Sequence, residues 1–139
     1  MSDPALRPMA LLCDRILSAE GIGPGCLVME GGTIAALDAA PPPEAITFDC
    51  RELLVAPALV DIHGDAFERQ VAPRPGVHFP LDAAVLDTDR QMAANGIATA
   101  YHALTLSWEP GLRAVSQGEA WVAALDALAP RCAVDHRVQ

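Results

Sequence analysis

The stretch LVDIHGDAFER, residues 59–69, limits what this chain can become. A short apolar run, Leu59-Val60, leads into Asp61, His63, Asp65 and Glu68 within ten residues. Side chains alternate faces along a strand, so Asp61, His63 and Asp65 are expected on one face and Val60 and Ile62 on the other, suited to covering helices. Strands of a parallel sheet are normally apolar on both faces. Three polar groups on one face are costly unless something compensates them, and a divalent cation does so. Imidazole and carboxylate suit zinc or manganese, and i, i+2 spacing lets two side chains converge on one ion. The alternative is a His–Asp pair that satisfies its own hydrogen bonds and holds no metal.

The fold class is set by residues 81–139. LDAAVLDTDRQMAANG, residues 81–96, reads as a helix with Asp82 as N-cap, Ala83, Leu86, Arg90 and Ala93 at helical spacing, and Gly96 at C′. IATAYHALTL is strand-like, and SWEPG is a turn in which Trp108 is expected as a loop anchor. LRAVSQGEAWVAALDALAP reads as a second helix, with Val115, Trp121, Val122, Leu125 and Leu128 on one side; Gly118 weakens it by about 1 kcal/mol relative to Ala. CAVDHRVQ begins a third strand. Strand, helix, strand, helix, strand means an α/β fold with parallel strands and right-handed crossovers. In such folds chemistry sits at the C-terminal ends of strands, where His63, Asp65 and His102 fall.

Residues 1–57 differ. MALLCDRIL, a strand near 26–30, another near 33–37, ITFDC and LLVAP are short strands. Gly31-Gly32 between two apolar runs is a hairpin signal. GIGPG is expected as a turn, since Pro24 interrupts any dinucleotide-loop pattern. DAAPPPEA is a stiff connector. The chain therefore divides near residue 57.

Composition narrows the function classes. Hydrophobic residues make up 52%, enough for a sizeable core. The net charge is −9, and all nine basic residues are Arg, which argues against nucleic-acid or anionic-membrane partners. It leaves room for a local Arg cluster, and Arg69 and Arg74 lie five positions apart beside the Pro-rich loop VAPRPGVHFP. Arg forks suit phosphate oxygens, and His78 is a weaker candidate in the same loop. Cys13, Cys26, Cys50 and Cys132 show no metal-finger spacing and read as reduced thiols. No stretch approaches a membrane span and no leader pattern opens the chain, so a cytoplasmic protein is expected.

VAPALVDIHGD, preceded by a small β region containing VMEGGTIAALD, resembles the amidohydrolase superfamily, whose members open with such a hairpin and a PGxxDxHxH first barrel strand. Here Asp65 stands in place of the second His, and Pro57-Ala58 in place of Pro-Gly. This His-x-Asp variant, with FERQ and PRPG after it, resembles the narrower PhnM-type family of phosphonate metabolism. The resemblance implies the N-terminal part of a small β-sandwich over 1–57, then over 58–139 the first strands and helices of an incomplete (β/α)8 TIM-type barrel. It implies a divalent metal, zinc or manganese, held by His63 and Asp65, with Asp61 as the carboxylate that orients a ligand or serves as an alternate one. Glu68 and His102 become catalytic candidates, and Arg69, Arg74 and His78 phosphate-binding candidates. The implied activity is hydrolysis of the 5-triphosphate of a ribose 1-phosphonate, with release of diphosphate. YHAL, where relatives carry FDAL, marks a divergent subgroup and leaves the substrate open.

Such a barrel takes further ligands from later strands, so the chain is expected to be an N-terminal fragment, inactive alone. The rest of the enzyme or a further copy would cover its sheet edges. Two alternatives stand beside this reading: an amidohydrolase of another kind that cleaves C–N bonds, and a metal-free interaction module that kept the fold's opening.

Overall fold

The computed structural model describes residues 7–38, 40–65 and 67–139; Ala39 of the expected connector and the first six residues, where a leader would begin, lie outside this description. The chain divides into two compact units, Met1–Pro57 and Ala58–Gln139.

The first unit carries β1 (Met9–Ser18), β2 (Gly21–Glu30), β3 (Thr33–Leu37), β4 (Ile46–Asp49) and β5 (Leu54–Val55). They form one five-stranded sheet in the order β3-β2-β1-β4, with β5 also on β1. The expected sandwich segment is thus a single mixed layer among the described residues, because β4 and β5 both join β1 as parallel neighbours. Gly31 and Gly32 make the two-residue hairpin between β2 and β3, both at positive φ (56° and 80°), as a type I′ turn requires. GIGPG departs from expectation: it lies inside β2, and the turn falls one step earlier, at Ala19-Glu20. Pro24 is tolerated there because β1 bulges opposite it, the register jumping between Cys13↔Gly25 and Ile16↔Gly23.

The second unit carries β6 (Leu59–Gly64), α1 (Phe67–Val71), α2 (Leu81–Ala94), β7 (Ile97–His102), α3 (Val115–Leu128), a 3-10 turn (Ala129–Arg131) and β8 (Asp135–Val138). The strands lie in the order β6-β7-β8, all parallel, as the alternating pattern requires. Phe67, Val71, Ala84, Val85, Trp121, Leu125 and Leu128 form the main core where the three helices meet. Met92, Ala100 and Val134 fasten α2 to the sheet.

Helix faces correct the sequence reading. In α2 the inward residues are Ala84, Val85, Thr88, Asp89 and Met92, one step away from the expected stripe. Asp82 is not the cap: Pro80 holds that position, and the Asp82 carboxylate accepts the Ala83 amide inside the first turn. In α3 Trp121, Leu125 and Leu128 are buried, whereas Val115 and Val122 face outward. Gly118 has a packing reason, because a Cβ there would stand 2.5 Å from the Leu106 Cδ2 methyl. Gly96, at φ 78°, ends α2 as expected. No helix among the described residues is long and apolar enough to cross a membrane.

Candidate functional site

β6 delivers the motif to the C-terminal edge of the parallel sheet, but not by simple alternation. The stretch from Asp61 to Gly64 spans three residue steps against two on β7, from Ala100 to His102. This irregularity breaks the shared face. Asp61 turns back on Gly64, where an added Cβ would meet its Oδ2 at 2.8 Å and the Met92 methyl at 3.6 Å. Its Oδ1 accepts the backbone N–H of His63 at 3.1 Å. Val60 and Ile62, expected under helices, are exposed.

His63 and Asp65 are both exposed at the strand end. The His63 Nδ1 lies 2.8 Å from the Gln139 side-chain amide. The Gln139 Nε2–H donates to this nitrogen, so the ring proton of His63 sits on Nε2, and a metal bound there would displace it. Exposed imidazole and carboxylate, with a neighbouring carboxylate fixing the backbone, are a chemically suitable donor set for zinc or manganese. The donor atoms of Asp61, His63 and Asp65 are not gathered into one three-residue cluster in this structure.

The other candidates are spread out. Glu68, in α1, is half-buried and forms an ion pair with Arg113 at 3.5 Å. Arg69 and Arg74 are exposed, as is His78 in the loop before α2. Arg69 lies with Phe79 and Asp87, while His78 lies with Leu112 and Gln117, so the two border different depressions. Trp108, expected as an anchor, is 91% exposed.

His102 is fully buried on the helix-covered side, edge-on to both Phe67 and Trp121. Its Nε2 lies 2.8 Å from His136 Nδ1, and its own Nδ1 has no partner among the described residues. Burial, with His136 beside it, pushes the His102 pKa down to about 4, against a smaller opposing pull from Asp61. His102 is therefore neutral at pH 7.

Beyond His102 runs a polar cluster that the sequence reading did not find. His136 Nε2 lies 3.2 Å from Asp89 Oδ1, and that oxygen accepts the Ala133 and Val134 amides at 2.9 Å each. Asp89 Oδ2 pairs with the largely exposed Arg90. Burial alone would raise the Asp89 carboxyl, but the two amides and the His136 ring hold it below the ordinary value. Cys132 completes the group, its thiol pushed up by burial and by Asp89. The signal was present: Val85, Asp89 and Met92 follow i, i+4, i+7 spacing, so a carboxylate sits within an apolar stripe.

No family model matches the sequence, and no curated protein matches it. Solved structures do match. The crystal structure of N-isopropylammelide isopropylaminohydrolase from Burkholderia multivorans superposes with a TM-score of 0.59 at 18% identity, covering 94% of this chain and 37% of that one. The chain shares a fold with part of an aminohydrolase. The crystal structure of an uncharacterized protein matches equally, with a TM-score of 0.59 at 17% identity over 94% of this chain and 31% of its own. The chain thus spans about a third of the length of the solved chains it matches. The narrower phosphonate-family resemblance stands on the sequence motif alone.

Proposed function

We propose that this chain is the opening part of a metal-dependent hydrolase. The observation that carries this reading is the pair of exposed donors, His63 and Asp65, at the C-terminal end of a parallel strand in a fold shared with an aminohydrolase. The divalent ion, when bound, would supply Lewis acidity and a water made more acidic. His63 and Asp65 would hold it, and Asp61 would fix the strand end through the His63 amide. Glu68, paired with Arg113, would take up and hand on a proton at its carboxylate. His102, buried and neutral, would act as a positioning residue behind the strand ends. The remaining ligands would come from polypeptide outside these residues, either the rest of the enzyme or a further copy that also covers the exposed edge of β6.

For the substrate, the DIHGDAFERQVAPRPG run supports a phosphorylated sugar, with diphosphate leaving a ribose 1-phosphonate 5-triphosphate. Arg69, Arg74 and His78, all exposed, would meet its phosphates. The aminohydrolase fold likeness favours a second reading, cleavage of a C–N bond. A single panel separates them: the protein in its native assembly, loaded with zinc or manganese, is assayed for diphosphate release and for amine release. Diphosphate release is expected. Amine release would favour the second reading, and neither product, together with no bound metal, would overturn the enzyme assignment in favour of a metal-free module.

A further inference from the structure

We propose that Asp89, Cys132 and His136 form a second cation site, separate from the strand-end donors and suited to zinc. The three lie on different segments: Asp89 on the inward face of α2, Cys132 after the 3-10 turn, His136 on β8. One donor atom from each falls within 4.8 Å of the others, and this is the one such three-residue group among the described residues. Asp89 is fully buried and the His136 side chain is 5% exposed.

The geometry matches a zinc coordination edge. With Zn–N and Zn–O bonds near 2.1 Å, two ligands of a tetrahedral ion stand about 3.4 Å apart; His136 Nε2 and Asp89 Oδ1 stand 3.2 Å apart. Thiolate, imidazole and carboxylate together form a set that favours zinc over magnesium or calcium, which prefer all-oxygen sites. The outer contacts are also those of a metal site. The second ring nitrogen of His136 meets His102 Nε2 at 2.8 Å, which fixes the ring, and an ion would replace the Nε2 proton shared with Asp89. Asp89 Oδ1 is held by two backbone amides, so the carboxylate is already oriented. Arg90 pairs with Oδ2, and its guanidinium, 59% exposed, can swing to solvent. An ion here would tie α2 to the start of β8, a structural role that does not depend on the hydrolase reading.

The test uses cobalt(II) in place of zinc on the chelator-stripped chain, because a cobalt–thiolate bond gives a charge-transfer absorption that oxygen and nitrogen ligands do not. The absorption is expected to saturate at one ion per chain. It should survive in His63→Ala, weaken in His136→Gln and vanish in Cys132→Ser. Should Cys132→Ser misfold by circular dichroism, a chain with Cys13, Cys26 and Cys50 all changed to Ser serves instead, and the absorption must persist with Cys132 as its remaining thiol. Absence of the absorption in the folded wild-type chain overturns the proposal, and so does its persistence in folded Cys132→Ser or its loss in the triple variant.

Discussion

Replacing Asp89 with Ala removes the acceptor that three donors share. The Ala133 and Val134 amides lose a partner at 2.9 Å, and His136 Nε2 loses one at 3.2 Å. Each hydrogen bond to a charged group contributes about 1.5–3 kcal/mol, so the three together have an upper limit of roughly 9 kcal/mol. The three bonds share one oxygen and the Ala133 side recruits water, so a cost of about 3–5 kcal/mol is expected, the range for breaking a buried charged pair. Asp89→Asn keeps an oxygen for the amides and loses the charge, at about 1–2 kcal/mol. Arg90→Ala removes an exposed partner and should cost under about 1 kcal/mol. The assay is urea unfolding followed by Trp fluorescence, with Trp121 reporting the second unit's core. At a slope of about 1.5 kcal/mol/M, the Ala variant should lose roughly 2–3 M in midpoint. A loss within about 0.5 kcal/mol of wild type would refute the claim that Asp89 clasps α2 to β8.

Other perturbations probe His102 and the glycines. His102 has a folded pKa of about 4 against an ordinary 6.5, so between these values the unfolded chain binds more protons and stability rises with pH; it is complete above pH 6.5, and up to roughly 3 kcal/mol is lost as pH falls to 4. Urea midpoints at pH 7 and 5 check this, with a flatter profile expected in His102→Leu. Gly64→Ala places a methyl against the Asp61 carboxylate and should weaken metal binding several-fold while leaving the fold intact, read by dialysis and circular dichroism. Gly32→Val forces a branched residue to φ 80° and should cost about 1–2 kcal/mol in thermal unfolding. Gly118→Ala gains about 1 kcal/mol of helix propensity against a clash that the exposed Leu106 relieves by moving, so a net change under about 1 kcal/mol is expected from the same unfolding assay.

The parallel β6-β7-β8 order was legible because the strand and helix periods alternate along residues 59–138, and Gly31-Gly32 announced its own turn through the φ values it supplies. What escaped were features decided by contacts distant in sequence. Pro24 sits in a strand because β1 bulges opposite it, which nothing local to GIGPG encodes. Asp61 leaves the face of its neighbours because β6 slips against β7, so strict alternation fails at the motif where it mattered most. The inward face of α2 lies one step from the expected Ala83, Leu86, Arg90 and Ala93, because amides from the start of β8, far along the chain, offset the cost of burying Asp89. His102 could be placed at a strand end from sequence, but its direction, into the aromatic layer of Phe67 and Trp121, is set by those helices.

Metal content bears most directly on the strand-end donors. The protein in its native assembly and a His63→Ala/Asp65→Ala double variant, both in a Cys132→Ser background that removes the second proposed site, are dialysed against zinc and manganese and analysed for bound metal. One ion per chain in the parent and none in the double variant is the predicted result. Equal metal in the two, or none in either while both remain folded, would contradict the assignment of His63 and Asp65 as ligands.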